Sequence, residues 1–212
     1  QGYSSAASDV YKRQRELRDF RLTKYRICSP KLNGIRGTKK IIFLSDLHNR
    51  MYGKENERLL ESIKNQHPDL ILIGGDMLVR KDGNSYDRTV RFLEKLPAIC
   101  PVYCANGNHE QKLKELPDKY EQSYEGYKKA LTACGIHMLE NASETVRLDE
   151  APVRISGLEI PLRAYARFGK KDLPLKEITD RIGEHGEEYQ ILFAHHPGYI
   201  QEYLEYLSLI HI

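Results

Sequence analysis

Short apolar runs, each closed by polar or glycine-rich residues, recur through the first half of the chain. The first two are Ile41–Leu44 and Leu70–Ile73, and a third lies within the letters CPVYC, before the polar stretch ANGNHE. Apolar runs of this length between turn residues are typical of strands that are buried on both faces of a sheet. We therefore predict three buried strands in this region.

Segments with apolar residues at helical spacing separate these runs. Two of them, residues 54–66 and 86–96, each place leucine, isoleucine or valine side chains on one face of a helix. The alternation of strand and helix at this spacing predicts parallel strands joined by right-handed crossovers. Further helices are predicted over residues 124–134 and 175–183.

The pattern changes in the second half of the chain. Shorter strands are predicted for the letters IHML, ETVRL and VRISGLE, and a last buried strand for residues 191–194. We therefore predict an α/β fold whose sheet gains mixed or antiparallel strands, with no internal repeat. The opening letters, QGYSSAASDVYKRQ, are polar and without a period, which predicts a disordered leader.

Length and composition limit the classes of protein that this chain represents. At 212 residues, with 40% hydrophobic and 30% charged residues, it is long enough for one ordinary globular domain. The net charge of +3 comes from interleaved basic and acidic residues and indicates no nucleic-acid partner. No apolar run approaches the roughly eighteen residues of a membrane-spanning helix. The cysteines, including one C-x3-C pair, match neither a redox motif nor a usual zinc motif.

Side chains that bind metal ions follow each predicted buried strand. They are Asp46 and His48 after the first strand, Asp76 after the second, Asn108 and His109 after the third, and His195 and His196 after the last. Because the carboxyl ends of parallel strands lie at one edge of a sheet, where ligands bind in open α/β folds, we expect these side chains to form one cluster. Carboxylate, carbonyl and imidazole ligands together favour Mn, Fe, Zn or Mg over metals that prefer sulfur.

Sequence alone leaves other roles open for several of these residues. Asp46 and Asp76 also suit the N-terminal caps of helices that follow strands. His195 and His196 are adjacent, so on a strand they point in opposite directions and only one is expected to bind a metal.

Several residues close to this pattern also have two interpretations. Asn49 and Arg50 either contact a substrate or belong to a solvated loop, and Glu110 either supports the site or begins a helix. Three further histidines are predicted to be surface or packing residues: His67, His137 and His185.

Four motifs, in this order, resemble those of the calcineurin-like metallophosphoesterases. They are SDLH, GGD, GNHE and AHHP, and the resemblance spans about residues 39–206. It implies a four-layer α/β/β/α fold with mixed sheets and a centre of two divalent or trivalent metal ions. The site residues that it implies are Asp46 and His48 on the first metal, Asp76 bridging the metals, Asn108 and His195 on the second metal, and His109 facing the substrate. His195 is preferred over His196 because the family's ligand lies two residues before a proline.

The resemblance also implies an activity, the hydrolysis of a phosphomonoester, phosphodiester or pyrophosphate by a hydroxide shared between the metals. In that reaction His109 protonates the leaving oxygen or stabilises charge on the phosphoryl group. The letters YRICSPKLNG before the first strand are most similar to bacterial members that often carry a membrane anchor or signal upstream. This resemblance implies a small-molecule or lipid-linked phosphate as substrate and membrane association of the full-length parent, and it leaves the location open between the cytoplasm and the envelope. No oligomeric state is indicated.

Two other classes of function are alternatives to this enzyme. One is a non-catalytic scaffold that binds partners, which would not need the intact site residues. The other is a nuclease, which would favour a basic groove with interleaved aromatic residues, whereas the tyrosines here are scattered.

The two ends of the chain are related through the genetic code. One back-translation of DVYKRQ, residues 9–14, has a reverse complement that encodes LSLIHI, residues 207–212. Both resemble the end sequence that transposase-based sequencing libraries attach to DNA fragments. We therefore predict residues 1–14 and 207–212 to be adapter-derived, and residues 15–206 to be a partial phosphoesterase domain that lacks the family's last strands.

The family pattern ends in a G-H-x-H motif that supplies one histidine to each metal. The chain has no such motif after AHHP, and the nearest histidine, His211, lies in the predicted adapter. We exclude His211 from the site and expect this chain to be weakly active or inactive.

Overall fold

The computed structural model describes residues 19–79, 85–119, 121–165, 173–184 and 186–208. Its strands are β1 (Ile41–Leu44), β2 (Leu70–Ile73), β3 (Val102–Cys104), β4 (Ile136–Met138), β5 (Ala142–Leu148), β6 (Ala151–Leu158) and β7 (Tyr189–Ala194). Its α-helices are α1 (Glu57–Gln66), α2 (Asp87–Leu93), α3 (Asn108–Glu115), α4 (Tyr124–Ala133), α5 (Leu175–Ile182) and α6 (Ile200–Ser208). The predictions for residues 1–14, His185 and residues 209–212, including His211, lie outside the described residues.

The described strands form two sheets. In the first sheet β1, β2, β3 and β4 lie in that order, and every neighbouring pair is parallel. In the second sheet β6 lies in the middle, antiparallel to β5 and parallel to β7. The prediction of a parallel region followed by mixed strands is confirmed.

Hydrophobic clusters on both sides of each sheet define four layers of secondary structure. The first cluster lies between the first sheet and helices α1, α2 and α4, and it includes Ile71 and Ile73. The second cluster lies between the two sheets and includes Leu70 and Leu72 of the same strand, because alternate side chains point to opposite faces. The third cluster lies between the second sheet and helices α5 and α6. This order of layers is the predicted α/β/β/α sandwich.

Burial differs between strands that the sequence pattern treats alike. Every residue of β2 is at most 3% exposed, whereas in β1 Ile41 is 39% and Phe43 is 60% exposed. Among the described residues β1 pairs only with β2, and β7, which is half-buried, pairs only with β6. The prediction that β1 and β7 are buried was therefore wrong. An apolar run predicts a strand, but it does not show how many strands pair with it.

The helices also differ from the prediction in places. Helix α6 was not predicted, and α3 was foreseen only as one interpretation of Glu110. The helix expected from residue 54 begins as a 3-10 turn, Lys54–Asn56, before α1. Glu55 and Asn56 have positive φ angles of 53° and 60°, which interrupt a continuous helix. No helix in the described ranges has the length and apolar character needed to cross a membrane.

Candidate metal centre

The carboxyl ends of β1, β2 and β7 bring carboxylates and imidazoles from both sheets together. Nε2 of His195, which follows β7, lies 3.4 Å from Oδ2 of Asp76 and 3.8 Å from Oδ1 of Asp46. Nε2 of His48 lies 3.5 Å from the same Asp46 oxygen and 3.8 Å from the same Asp76 oxygen. These side chains therefore direct their ligand atoms into one small volume, as the strand-end pattern predicts.

Asp76 belongs to two groups of potential ligand atoms. The groups are Asp46, Asp76 and His195, and His48, Asp76 and His109, and within each group the atoms lie within 4.8 Å of one another. In this geometry Asp46 is grouped with His195 across the two sheets, whereas the resemblance pairs it with His48. The resemblance assigns His109 to the substrate. In the structure a ring nitrogen of His109 lies close enough to the ligand atoms of His48 and Asp76 to share a metal ion with them. The carboxylate common to both groups is the one that the resemblance assigns to the bridge.

The loops that carry these ligands have an uncommon backbone conformation. Asp46, His48 and Asp76 have φ angles of 56°, 51° and 53°, in the left-handed region that side chains other than glycine seldom adopt. Two hydrogen bonds hold the loops against each other, from the Asp46 amide to the Gly75 carbonyl at 3.1 Å and from the His48 amide to the Asp76 carbonyl at 3.0 Å. Such conformations persist only where the surroundings enforce them, and they concentrate at functional sites.

Two glycines allow the loops after β2 and β3 to touch through their backbones. A Cβ atom on Gly75 would lie 2.2 Å from the amide nitrogen of Gly107, and a Cβ atom on Gly107 would lie 2.2 Å from Oδ1 of Asp76. No side chain fits at either position. The glycines of the GGD and GNHE motifs therefore set the distance between Asp76 and the start of α3.

Glu110 joins the same two loops from beneath the site. The residue as a whole is only 1% exposed. It accepts hydrogen bonds from the amides of Asp76 at 2.8 Å, Met77 at 2.9 Å and Gly107 at 3.0 Å. Burial, together with nearby Asp76, raises the pKa of Glu110, and the amide bonds oppose that shift. Glu110 thus lies in the first turn of α3, which begins at Asn108, and caps it by accepting the Gly107 amide, while it also holds the loop of Asp76.

The carboxamide of Asn108 lies beside the buried carboxylate of Asp76. Its nitrogen donates a hydrogen bond to Oδ2 of Asp76 at 3.1 Å, and its oxygen accepts one from the His109 amide at 3.2 Å. Asn108 therefore presents its amide at the same edge of the site as Asp76, as the strand-end pattern predicts.

The surroundings of His195 present one ring nitrogen to the carboxylates. Nδ1 lies 2.9 Å from the carbonyl oxygen of Gly74, which can only accept a hydrogen bond, so Nδ1 carries the proton. The hydrogen bond to Asp76 raises the pKa of His195 to about 9, against the opposing effect of burial. Metal-binding histidines commonly have this arrangement, in which a carbonyl orients the ring through its second nitrogen.

Asp76 remains ionised although it is buried. Burial disfavours its charged form, but hydrogen bonds from His195 and from the His109 amide, the latter at 2.8 Å, lower its pKa overall. The His109 ring lies 5.2 Å from the His48 ring in an edge-to-face arrangement. Burial lowers the pKa of His109, although Asp76 opposes this shift. A buried ionised carboxylate together with imidazole nitrogens is a set of donors that fits the borderline metals named above.

Two residues next to the candidate ligands, His196 and Asn49, have structural partners. His196 accepts the Gly198 amide at Nδ1 over 3.0 Å, and its ring lies 4.6 Å from that of Tyr165. Asn49 accepts a hydrogen bond from the hydroxyl of buried Thr89 at 2.8 Å. Three residues outside the pattern, Arg50, His67 and His137, are exposed.

Sequence reasoning did not single out a second polar cluster at this end of the sheets. Its members are Asn106, Lys114, Tyr124, Lys128, Glu140 and Glu159. A weak signal was present, since Asn106 lies two residues before Asn108, Glu140 directly follows the strand predicted for IHML, and Glu159 ends the strand predicted for VRISGLE.

Comparison with known proteins places the chain in a family. The model of the family described as calcineurin-like phosphoesterase matches residues 39–209. The chain belongs to this family of metal-dependent phosphoesterases, as the motifs predict.

Two individual proteins show how far the similarity extends. The chain is 28% identical over 155 residues to the uncharacterized metallophosphoesterase YkoQ of Bacillus subtilis (strain 168), which corresponds to 71% of this chain and 54% of that protein. It therefore spans about half the length of this curated relative. The crystal structure of phosphopantetheinyl hydrolase (PptH) from Mycobacterium tuberculosis matches with 20% identity and a TM-score of 0.40, over 56% of this chain and 42% of that one.

Proposed function

We propose that this chain is the core of a phosphoesterase that uses two metal ions bridged by Asp76. The observation that supports this proposal best is that Asp76 is common to two groups of ligand atoms, one with Asp46 and His195 and the other with His48 and His109. A shared carboxylate is the feature that holds two metals about 3.5–4 Å apart in enzymes of this type.

The residues of this chain would divide the work as follows. Asp46, His48, Asp76, Asn108 and His195 would hold the metals, which when bound supply Lewis-acid activation of the phosphoryl group and of the attacking water. Glu110 holds the loops of Asp76 and Asn108 at a fixed distance, because it accepts hydrogen bonds from backbone amides of both loops. His109, whose pKa burial lowers, would act on the leaving oxygen or on the charge of the phosphoryl group.

The proposed substrates are phosphomonoesters, phosphodiesters or pyrophosphates, either as small molecules or linked to a lipid. Acidic and imidazole ligands set the reaction class but do not select among these compounds. Membrane association of the full-length parent belongs to the same proposal.

The test is an assay of Mn²⁺ binding and hydrolysis with this chain and with the protein encoded by its full-length parent gene. An aryl phosphate and a bis-aryl phosphate diester serve as generic substrates. Asp76→Asn should abolish turnover, whereas Asp180→Asn, which changes an exposed partner of Lys176 on α5, should not. Turnover that survives Asp76→Asn would refute the assignment, and metal binding without turnover in the full-length protein would favour a non-catalytic scaffold.

A further inference from the structure

A partly buried ion pair lies near the candidate metal centre and connects α3 to the second sheet. Nζ of Lys114, on α3, donates to both carboxylate oxygens of Glu159, at 2.9 Å and 3.0 Å. It also donates to Glu140, which follows β4, at 2.8 Å. The Glu159 side chain is 8% exposed and that of Lys114 is 33% exposed. The pair is therefore largely shielded from solvent and from screening by salt.

Glu159 also contacts the loop from which the candidate ligand Asn108 extends. Nδ2 of Asn106 donates to Oε1 of Glu159 at 2.9 Å, and Asn106 is only 5% exposed. Asn106 lies two residues before Asn108, between β3 and α3. The Glu159 carboxylate therefore contacts the loop before Asn108, through Asn106, and helix α3, through Lys114.

The backbone of Glu159 is fixed to the second sheet. Its amide donates to Oδ1 of Asn141 at 3.0 Å, and its carbonyl accepts from Arg181 of α5 at 2.7 Å. Leu158 is the register partner of Ala194, so Glu159 and His195 are the residues that directly follow two neighbouring parallel strands, β6 and β7. Glu159 therefore lies at the same level of the second sheet as the ligand that this sheet contributes.

We infer that Glu159 is a positioning residue that sets the distance between the two sheets at the metal centre. Through Lys114 and Asn106 it links the strand beside His195 to the elements that carry the first-sheet ligands. The inference rests on the proposed function for the identity of the bound group. An ion pair with only a structural role would affect unfolding, but it would leave the metal affinity of the folded protein unchanged.

The experiment compares Glu159→Gln with Glu188→Gln in the 212-residue chain. Glu188 pairs with Arg154 at 3.9 Å with a side chain 19% exposed, and it lies just before β7, at the opposite end of that strand from His195. Mn²⁺ affinity is measured by titration calorimetry at a temperature where every variant is folded. The imidazole signals of His195 are recorded by NMR without metal.

Glu159→Gln should weaken Mn²⁺ binding by about tenfold, the lower end of the effect of residues that orient metal ligands, and should shift the His195 signals. Glu188→Gln should do neither. Unchanged affinity and signals in Glu159→Gln, or equal changes in Glu188→Gln, would overturn the inference.

Two further outcomes keep this inference separate from the proposed function. A wild-type chain that does not bind Mn²⁺ would count against the proposed function, while the His195 signals would still decide the role of Glu159. If Glu159→Gln does not fold, Lys114→Gln removes the other partner of the pair. That variant should show the same losses, and wild-type behaviour in it would refute the inference.

Discussion

Nδ1 of His195 lies 2.9 Å from the carbonyl oxygen of Gly74, which is 121 residues earlier in the chain. Gly74 follows β2 in the first sheet and His195 follows β7 in the second, so this hydrogen bond spans the sandwich. It orients the ring with Nε2 towards Asp46 and Asp76. The candidate centre therefore depends on how the two sheets pack as well as on the loops of either sheet.

The stability of the metal-free protein should fall as the pH rises from 6.5 to 9. The bond to Asp76 raises the pKa of His195 from its ordinary value of 6.5 to about 9 in the folded protein. The stabilisation by protonated His195 is thus fully present below pH 6.5 and is lost as the pH rises through 9. Urea unfolding with a metal chelator present should show a loss of about 1–2 kcal/mol, after allowance for partial solvent screening. His195→Ala should remove this pH dependence, and an unchanged profile in that variant would contradict the assignment.

Metal affinity should change with pH in the opposite direction. A metal ion that binds Nε2 must displace the proton that His195 carries below pH 9. Mn²⁺ binding should therefore strengthen by up to about tenfold per pH unit between pH 7 and 9, with proton release measurable by calorimetry in buffers of different ionisation enthalpy. Binding that is independent of pH, with no proton released, would place the metal elsewhere.

Gly75→Ala should be much more harmful than Gly37→Ala. Both glycines have positive φ angles, 95° and 75°, so both substitutions carry the same kind of backbone strain, about 1–2 kcal/mol. A Cβ atom at Gly37 meets nothing within 4 Å, whereas at Gly75 it would lie 2.2 Å from the backbone of Gly107. Thermal unfolding should separate the two variants, and Gly75→Ala should also lose metal affinity. Equal unfolding temperatures would show that the contact between the loops is not tight.

Glu110→Gln should destabilise the fold and weaken the metal centre together. The glutamine would turn an amide nitrogen towards backbone N–H groups that now donate to a carboxylate, which leaves buried donors unpaired. Each such group costs about 1–3 kcal/mol, so we expect a loss of at least about 2 kcal/mol in chemical denaturation. Glu144→Gln, at an exposed residue that pairs with His137, is the matched control and should change little. A Glu110→Gln variant as stable as this control would disprove the support we assign to Glu110.

The sequence predicted the strands and the cluster of potential ligands at their ends better than the burial of the elements. The bounds of β1 and β2 match the apolar runs. A short apolar run bounded by turn residues is typical of a strand, so both its type and its ends could be predicted. The exposure of Phe43 could not be predicted, because it depends on which strands pair with β1. Helix α3 was left as one interpretation of Glu110, because its first turn consists of the polar residues of the GNHE motif and shows no apolar period.

The candidate ligands followed from two kinds of information. The strand-end rule predicted that Asp46, Asp76 and His195 meet, and family motifs suggested a role for each. The grouping of Asp46 with His195 was not predictable, because it depends on the packing between the sheets, through residues such as Leu72 and Phe193. The partners of Glu159 were unpredictable for the same reason, since they come from elements distant in sequence.

The bond between Gly74 and His195 also bears on how the protein is made in the cell. During synthesis β1, β2 and β3 leave the ribosome long before β7, so a nascent chain that has completed its first sheet still lacks the imidazole of His195. Under the proposed function, an ion that binds His195 would be taken up only after the second sheet has packed onto the first. In the metal-free protein the proton on His195 balances the charge of Asp76.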